Sequence, residues 1–423
     1  MERITLRNGL SILYHYMPNT HSITIGLYVK MGIAYEPETY VGISHFLEHL
    51  NYRRIGDMDQ YEIYYQMERI GSGIKGNCFE DYCCFSMKIV PCYLKECLKI
   101  FKNMVGSTSW TQDEFEQEKQ LVLQQIKQRD EYVFLNDQLR KIIFKKSSLA
   151  ERILGKAECI QGLTKEKVQN YRNRMFCKQN IVLCITGNVD LKTMKDALTE
   201  VEDIVLTDGI EAACLQVPQV FHHRKPEVLW NFTPDDILDV NLSFDVSGET
   251  YQTQELEILN CILGEGTGSK LQKKIREQYG YTFDIYSYIE KYKNFAVFNV
   301  RFSVKKDLFE KCLEEILKEI NDTKKCITSR DLEVSLPFYT SNLQFIEDDT
   351  EEMNKKIAYE AFVMKNSEQQ WLVKNDEQSR EKIKALAKKI FLPENVCVVT
   401  VGNTKGLTTK QVRDTLLRNL ERY

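Results

Sequence analysis

The chain has 423 residues, 43% of them hydrophobic and 28% charged, with a formal net charge of −4. That balance excludes long disorder, and so small an acidic charge excludes a global field that would draw in nucleic acid or an anionic membrane. At roughly 100–200 residues per domain, the length predicts two to four domains.

The opening Met1–Leu10 stretch mixes charged and apolar residues like a strand and lacks the apolar core of a signal peptide. Nowhere is there an apolar run of about 18 residues, so no transmembrane helix and no membrane partner are expected. The thirteen cysteines form no CxxC pair. In a chain of this length they predict reduced, mostly buried thiols and a cytoplasmic address.

Ser22–Lys30 alternates like a half-buried strand and leads to a helix around Ser44–Tyr52. On that helix His45, Glu48 and His49 stand at i, i+3 and i+4, which is one face. Two imidazoles one turn apart can aim at one ion, and the carboxylate between them can hold a water bound to it. Zinc favours such a site and brings the pKa of its water towards neutrality, so that Glu48 can take the proton and later pass it to a leaving amine. With only six histidines in the chain, this spacing is unlikely to be accidental.

Tyr61–Ile70 reads as an amphipathic helix whose aromatics suit core or interface packing. Gly71–Cys78 reads as an edge strand beside a tight turn, and Cys83-Cys84 as part of a strand with the two thiols on opposite faces. A further helix covers Glu116–Ile126.

The chain then echoes itself. Phe176, Asn180, Gly187 and Asn188 recur as Phe391, Asn395, Gly402 and Asn403 at identical spacing, each set after a Lys-rich helical stretch and across a β-branched run. Ile237–Asp245 alternates as Ser22–Lys30 does, and a helix follows at Gln252–Leu263. Between the halves, residues 207–226 hold two prolines and the His222-His223 pair, read as a linker with solvated histidines. The acidic run Glu347–Glu352 is read as a solvated face or a helix start. The expected fold class is α+β: two homologous domains, 1–206 and 227–423, each with an antiparallel-rich sheet packed against helices.

Gly42-Ile43-Ser44-His45-Phe46-Leu47-Glu48-His49-Leu50 resembles the inverted zinc signature of the pitrilysin/insulinase peptidases. Leu163–Glu166 through Phe176, Asn180 and Gly187–Asp190 resembles the end of that family's first domain. Gly264–Leu271, Ile275–Glu277 and Gly280–Phe283 resemble a stretch of its second. Nearly the whole chain is covered, as in the mitochondrial-processing-peptidase-like branch, where one polypeptide holds two homologous domains and pairs with a second. The resemblance implies an insulinase-type fold, zinc as cofactor, and cleavage of extended peptides such as leader or precursor peptides.

Three positions bear on that implication. The family takes its third zinc ligand from a helix with the pattern Glu, six residues, Glu. Glu118 matches the first carboxylate and is read as orienting a histidine, whereas Gln125 falls on the ligand position, and a neutral amide should hold zinc more weakly. Of the family's substrate-holding Arg and Tyr, Arg276 matches the first, but Phe283 stands in place of the second. Gly73, Ile74, Lys75 and Gly76 resemble the family's glycine-rich strand that pairs with substrate, with Lys75 favouring acidic residues. Two readings result. One is a zinc endopeptidase with Glu48 as base and His45, His49 and Gln125 as ligands, working with a homologous partner chain or as a homodimer. The other is a catalytically impaired, peptide-binding subunit of a heterodimer.

Overall fold

The computed structural model describes residues 1–128, 131–144, 147–209, 226–247, 254–292, 295–364 and 373–420. The His222-His223 pair and most of the 207–226 stretch lie outside the described residues.

The first half contains β1 (Glu2–Thr5), β2 (Ser11–Tyr16), β3 (Ile23–Val29), α1 (Ile43–Leu50), β4 (Arg54–Ile55), β5 (Met58–Asp59) and α2 (Gln60–Arg69). It continues with β6 (Lys75–Cys78), β7 (Cys83–Ile89), α3 (Leu94–Val105), α4 (Gln112–Lys127), α5 (Glu131–Ile143), α6 (Ala157–Gln161), α7 (Lys165–Met175), β8 (Ile181–Gly187) and α8 (Leu191–Ala197). The second half holds β9 (Glu227–Phe232), β10 (Ile237–Ser247), α9 (Gln254–Leu263), β11 (Thr282–Tyr292) and β12 (Phe295–Lys305). After these come α10 (Phe309–Lys325), α11 (Ser329–Ile346), α12 (Thr350–Ala358), α13 (Glu377–Ile390), β13 (Val396–Gly402) and α14 (Thr409–Asn419).

Among the described residues two large sheets form, ordered β1-β2-β8-β3-β7-β6 and β11-β12-β10-β13-β9, beside a two-stranded ribbon of β4 and β5. Read from the other edge, the second repeats the first without β1, and each has a single parallel pair at the same place, β2 with β8 and β13 with β9. The architecture is the α+β arrangement expected, antiparallel-rich in both sheets.

The sequence echo has a physical cause. Phe176 and Phe391 are buried just past α7 and α13, each donating its amide back into the helix. Asn180 and Asn395 each donate from the side chain to a carbonyl of that same last turn. Gly187 and Gly402 take φ of +129° and +142° where their strand presses on a neighbour. A Cβ at Gly402 would stand 2.7 Å from the Ile237 carbonyl oxygen, so only glycine fits.

The chain divides into two compact units. The first comprises Met1–Arg129, Glu151–Gln216 and Gln344–Ser367; the second comprises Asp130–Ala150, Val217–Leu343 and Glu368–Tyr423. This differs from a single cut near residues 207–226, because each unit takes a helical segment from the other half of the chain. In the first unit α12 covers β3 and β8. Its Asn354 donates to the Thr24 and Cys184 carbonyls at 3.1 and 2.9 Å and accepts from the Tyr28 hydroxyl at 2.9 Å. In the second unit α5 packs on β13 and β10. Covered on both faces, all of β8 is buried, which is why it reads as an unbroken apolar run.

Of two smaller expectations, the first changes and the second holds. On α2 only Ile63 and Met67 are buried, while Tyr61, Tyr64 and Tyr65 are exposed, because i and i+4 form the inward stripe and the tyrosines fall beside it. The acidic run starts α12, with the Asp349 carboxylate accepting the Glu351 amide at 2.7 Å. No helix among the described residues is long and apolar enough to cross a membrane.

Candidate metal centre

α1 is only eight residues long, and packing holds it. Phe46 meets Phe115 of α4 edge-on, with ring centroids 5.2 Å apart, and the Trp110 indole donates to the Leu50 carbonyl at 3.0 Å. Burying each such aromatic contributes about 1.5–3 kcal/mol. At the start of α1 the Glu36 carboxylate accepts the Gly42 and Ser44 amides.

On the face turned away from Phe46, the ligand atoms of His45, Glu48 and His49 all lie within 4.8 Å of one another. The two imidazoles sit edge to face, 4.5 Å between centroids. α4 brings two more groups. Gln125 Oε1 stands 3.0 Å from His45 Nε2, and Glu118 Oε1 stands 2.8 Å from His49 Nδ1. Arg53 Nε donates to the other Glu118 oxygen at 2.5 Å. Glu118 and Gln125 are seven positions apart, two turns of helix, and so reach the two histidines from one face of α4.

β6 closes the site on another side. It is the last strand of its sheet, paired only to β7 among the described residues. A Cβ at Gly76 would overlap both Glu48 Oε1 and the Tyr52 hydroxyl, so the close approach requires glycine. Gly73 and Ile74 lie just before the strand. Lys75 is exposed, with its Nζ 2.9 Å from Glu351 Oε2 at the start of α12.

Burial drives the electrostatics. It pushes the Glu48 carboxyl above its ordinary range, against the pull of His49 and a hydrogen bond from Tyr52. Burial, with the charge of His49, holds His45 down at about 4. For His49 burial acts the same way, but the hydrogen bond to Glu118 and the charges of Glu48 and Glu118 outweigh it and raise the imidazole. Glu118 is lowered in turn, its own burial overcome by His49 and Arg53.

The substrate-holding candidates lie in the second unit. Arg276 is exposed in a π-helical turn, Gln272–Gln278, with Nη1 3.6 Å from Glu277 Oε1. Phe283 is 69% exposed, because a bulge between Thr282 and Asp284 leaves it without a partner in β12. Tyr281 stacks on Tyr279 against the core.

Residues 11–157 match the family model described as Insulinase (Peptidase family M16), and residues 162–335 match the one described as Peptidase M16 inactive domain. The chain belongs to the insulinase family. An uncharacterized zinc protease of Rickettsia bellii is 25% identical over 84% of this chain and 84% of its own. Another, of Bacillus subtilis, is 23% identical over 92% of this chain and 96% of its own. The crystal structure of a protease from Helicobacter pylori superposes with a TM-score of 0.84 at 19% identity, covering 95% of this chain and 99% of that one. Zinc is the cofactor that the names of the family's proteases carry. The donor set found here suits it: ligand atoms of His45, Glu48 and His49 lie within 4.8 Å of one another, and the Gln125 amide oxygen, hydrogen-bonded to His45 Nε2 at 3.0 Å, is near enough to reach the same ion. His49, held through Nδ1 by Glu118, has Nε2 left for an ion.

Sequence reasoning passed over Glu36, Tyr52, Arg53 and Trp110. Tyr52 and Arg53 follow the motif helix directly, at i+4 from Glu48 and from His49, and were detectable by that spacing; Glu36 and Trp110 depend on folding.

Proposed function

We propose that this chain is a zinc endopeptidase of extended peptides, leader or precursor peptides among them, with His45, His49 and Gln125 as zinc ligands and Glu48 as general base. The observation that carries it is the His45-Glu48-His49 cluster, with His45 and Glu48 buried and His49 half-buried, set against an edge strand. Bound zinc supplies Lewis acidity, which brings the pKa of a water down to about 7. Glu48 takes the proton of the attacking water; its burial raises its affinity for that proton, which it then delivers to the leaving nitrogen. β6, an edge strand, offers its unpaired edge to a peptide in extended form, reading little side-chain sequence. Arg276 and Phe283 add substrate contacts, the second an apolar one without a hydroxyl. For that reason we propose that a homologous partner chain, or a second copy, completes the grip on substrate. The twelve described cysteines are all free, which fits a reducing compartment and supports a cytoplasmic address.

Gln125 favours a second reading, a catalytically impaired subunit that binds peptide for an active partner, because a neutral amide holds zinc less firmly than a carboxylate would. Zinc content of the purified chain, followed by peptide cleavage by wild type and Glu48→Gln, separates the two. The peptidase reading expects bound zinc in both and cleavage only in wild type. Zinc without cleavage in either, alone or with a partner, establishes the second reading.

A further inference from the structure

The amides in the first turn of a helix have no acceptor within it, and Ser, Thr, Asp or Asn at the N-cap is the usual remedy. α1 cannot use that remedy. Its N-cap is Gly42, at φ +98°, and a Cβ there would stand 2.6 Å from Gly155 Cα. The acceptor comes instead from six residues upstream: Glu36 Oε2 lies 2.6 Å from the Gly42 amide nitrogen and Oε1 lies 2.8 Å from that of Ser44. Glu36 is 1% exposed, and burial pushes its carboxyl up to about 7 against the pull of the hydrogen bonds from Gly42 and Ser44. Ser44 is held a second time, its hydroxyl 2.8 Å from that of Tyr171 on α7. The next residue along is His45.

A carboxylate gripping two amides through two oxygens fixes rotation of the helix as well as its position. α1 has barely two turns, and its metal-facing atoms lie several ångströms off its axis. A rotation of about 10° would therefore move them by roughly 1 Å, a displacement of the size that can cost about a hundredfold in rate. We infer that Glu36 is a positioning residue for the metal site, setting the aim of His45, Glu48 and His49 through the first turn of α1. This rests on the zinc-peptidase reading above.

The test compares wild type with Glu36→Gln and Glu36→Asp, first without metal. Gln keeps the size but only one acceptor oxygen, so exchange of the Gly42 or Ser44 amide should quicken about tenfold or more, and the imidazole NMR signals of His45 and His49 should shift. Asp keeps both oxygens on a shorter arm and should fall between Gln and wild type. With zinc, the Gln variant should bind about tenfold more weakly. At saturating zinc it should lose about tenfold in kcat with KM within about twofold, because β6, which holds the peptide, is untouched. A residue that only stabilises the fold would lower the melting temperature and leave the ring signals, zinc affinity and kcat as they were, and that result overturns the inference. Should Gln not fold, Asp is judged by the same criteria. If wild type takes up no zinc, the peptidase reading fails, while the ring signals and amide exchange still decide the role of Glu36.

Discussion

As the proposed third ligand, Gln125 would set how tightly zinc is held. Its oxygen already stands against His45 Nε2, so Gln125→Glu should raise zinc affinity about tenfold or more, roughly 1.4 kcal/mol, in competition with a chelator. Unchanged affinity would remove Gln125 from the ligand set. The two histidines differ in how protons compete. Zinc takes the neutral imidazole. His45, held down at about 4, stays neutral across the physiological range, so competition falls on His49, whose pKa is raised above the ordinary 6.5. Zinc affinity should therefore begin to fall as pH drops through that raised value, and Glu118→Gln should move the onset to lower pH by removing the carboxylate charge that favours the protonated imidazole. In the metal-free protein the sign is that of a raised base: the His49–Glu118 contact stabilises the fold fully below pH 6.5 and is lost as pH rises through the higher folded value. Thermal melting across that range reads it. At this scale His45, Glu48, His49, Glu118 and Gln125 were legible, because spacing along a helix states which side chains share a face. Glu36 was not, because no local pattern joins an isolated acid to the start of a helix six residues on.

Among the elements, α1 and β6 make the site together. Gly76→Ala would drive a Cβ into Glu48 and Tyr52, so kcat should fall about a hundredfold while zinc content stays the same. Loss of zinc as well would mean that the strand supports the ligands rather than the base. α12 matters to the same unit through Asn354, whose amide serves two sheet carbonyls. Asn354→Ala leaves those buried acceptors without a partner and should cost about 2–3 kcal/mol in urea unfolding. The strands β8 and β13 were readable from their β-branched runs and closing Gly-Asn. The pairing of Lys75 with Glu351 was not, since the two residues lie 276 positions apart.

For the whole molecule, the consequence of exchanged segments is that neither half of the chain is complete. A fragment of residues 1–206 lacks α12, leaving the face of β3 and β8 that carries Tyr28, Val182 and Cys184 uncovered, and should be insoluble or only partly folded by circular dichroism. Co-expression with residues 207–423 should restore solubility, and a soluble, cooperatively melting 1–206 fragment would contradict the need for α12.

The sequence by itself determined what depends on neighbours along the chain: the helix with three metal-site residues on one face, the duplicated helix-strand-turn, the alternating strands, and the family to which these belong. Periodicity and spacing act over a few residues, so they are written in the order of the side chains. Only the tertiary structure decided which carboxylate caps α1, which glycine lets a strand reach the base, and which half of the chain supplies each covering helix. These are contacts between distant residues, chosen by how buried polar groups find partners and by where there is no room for a Cβ.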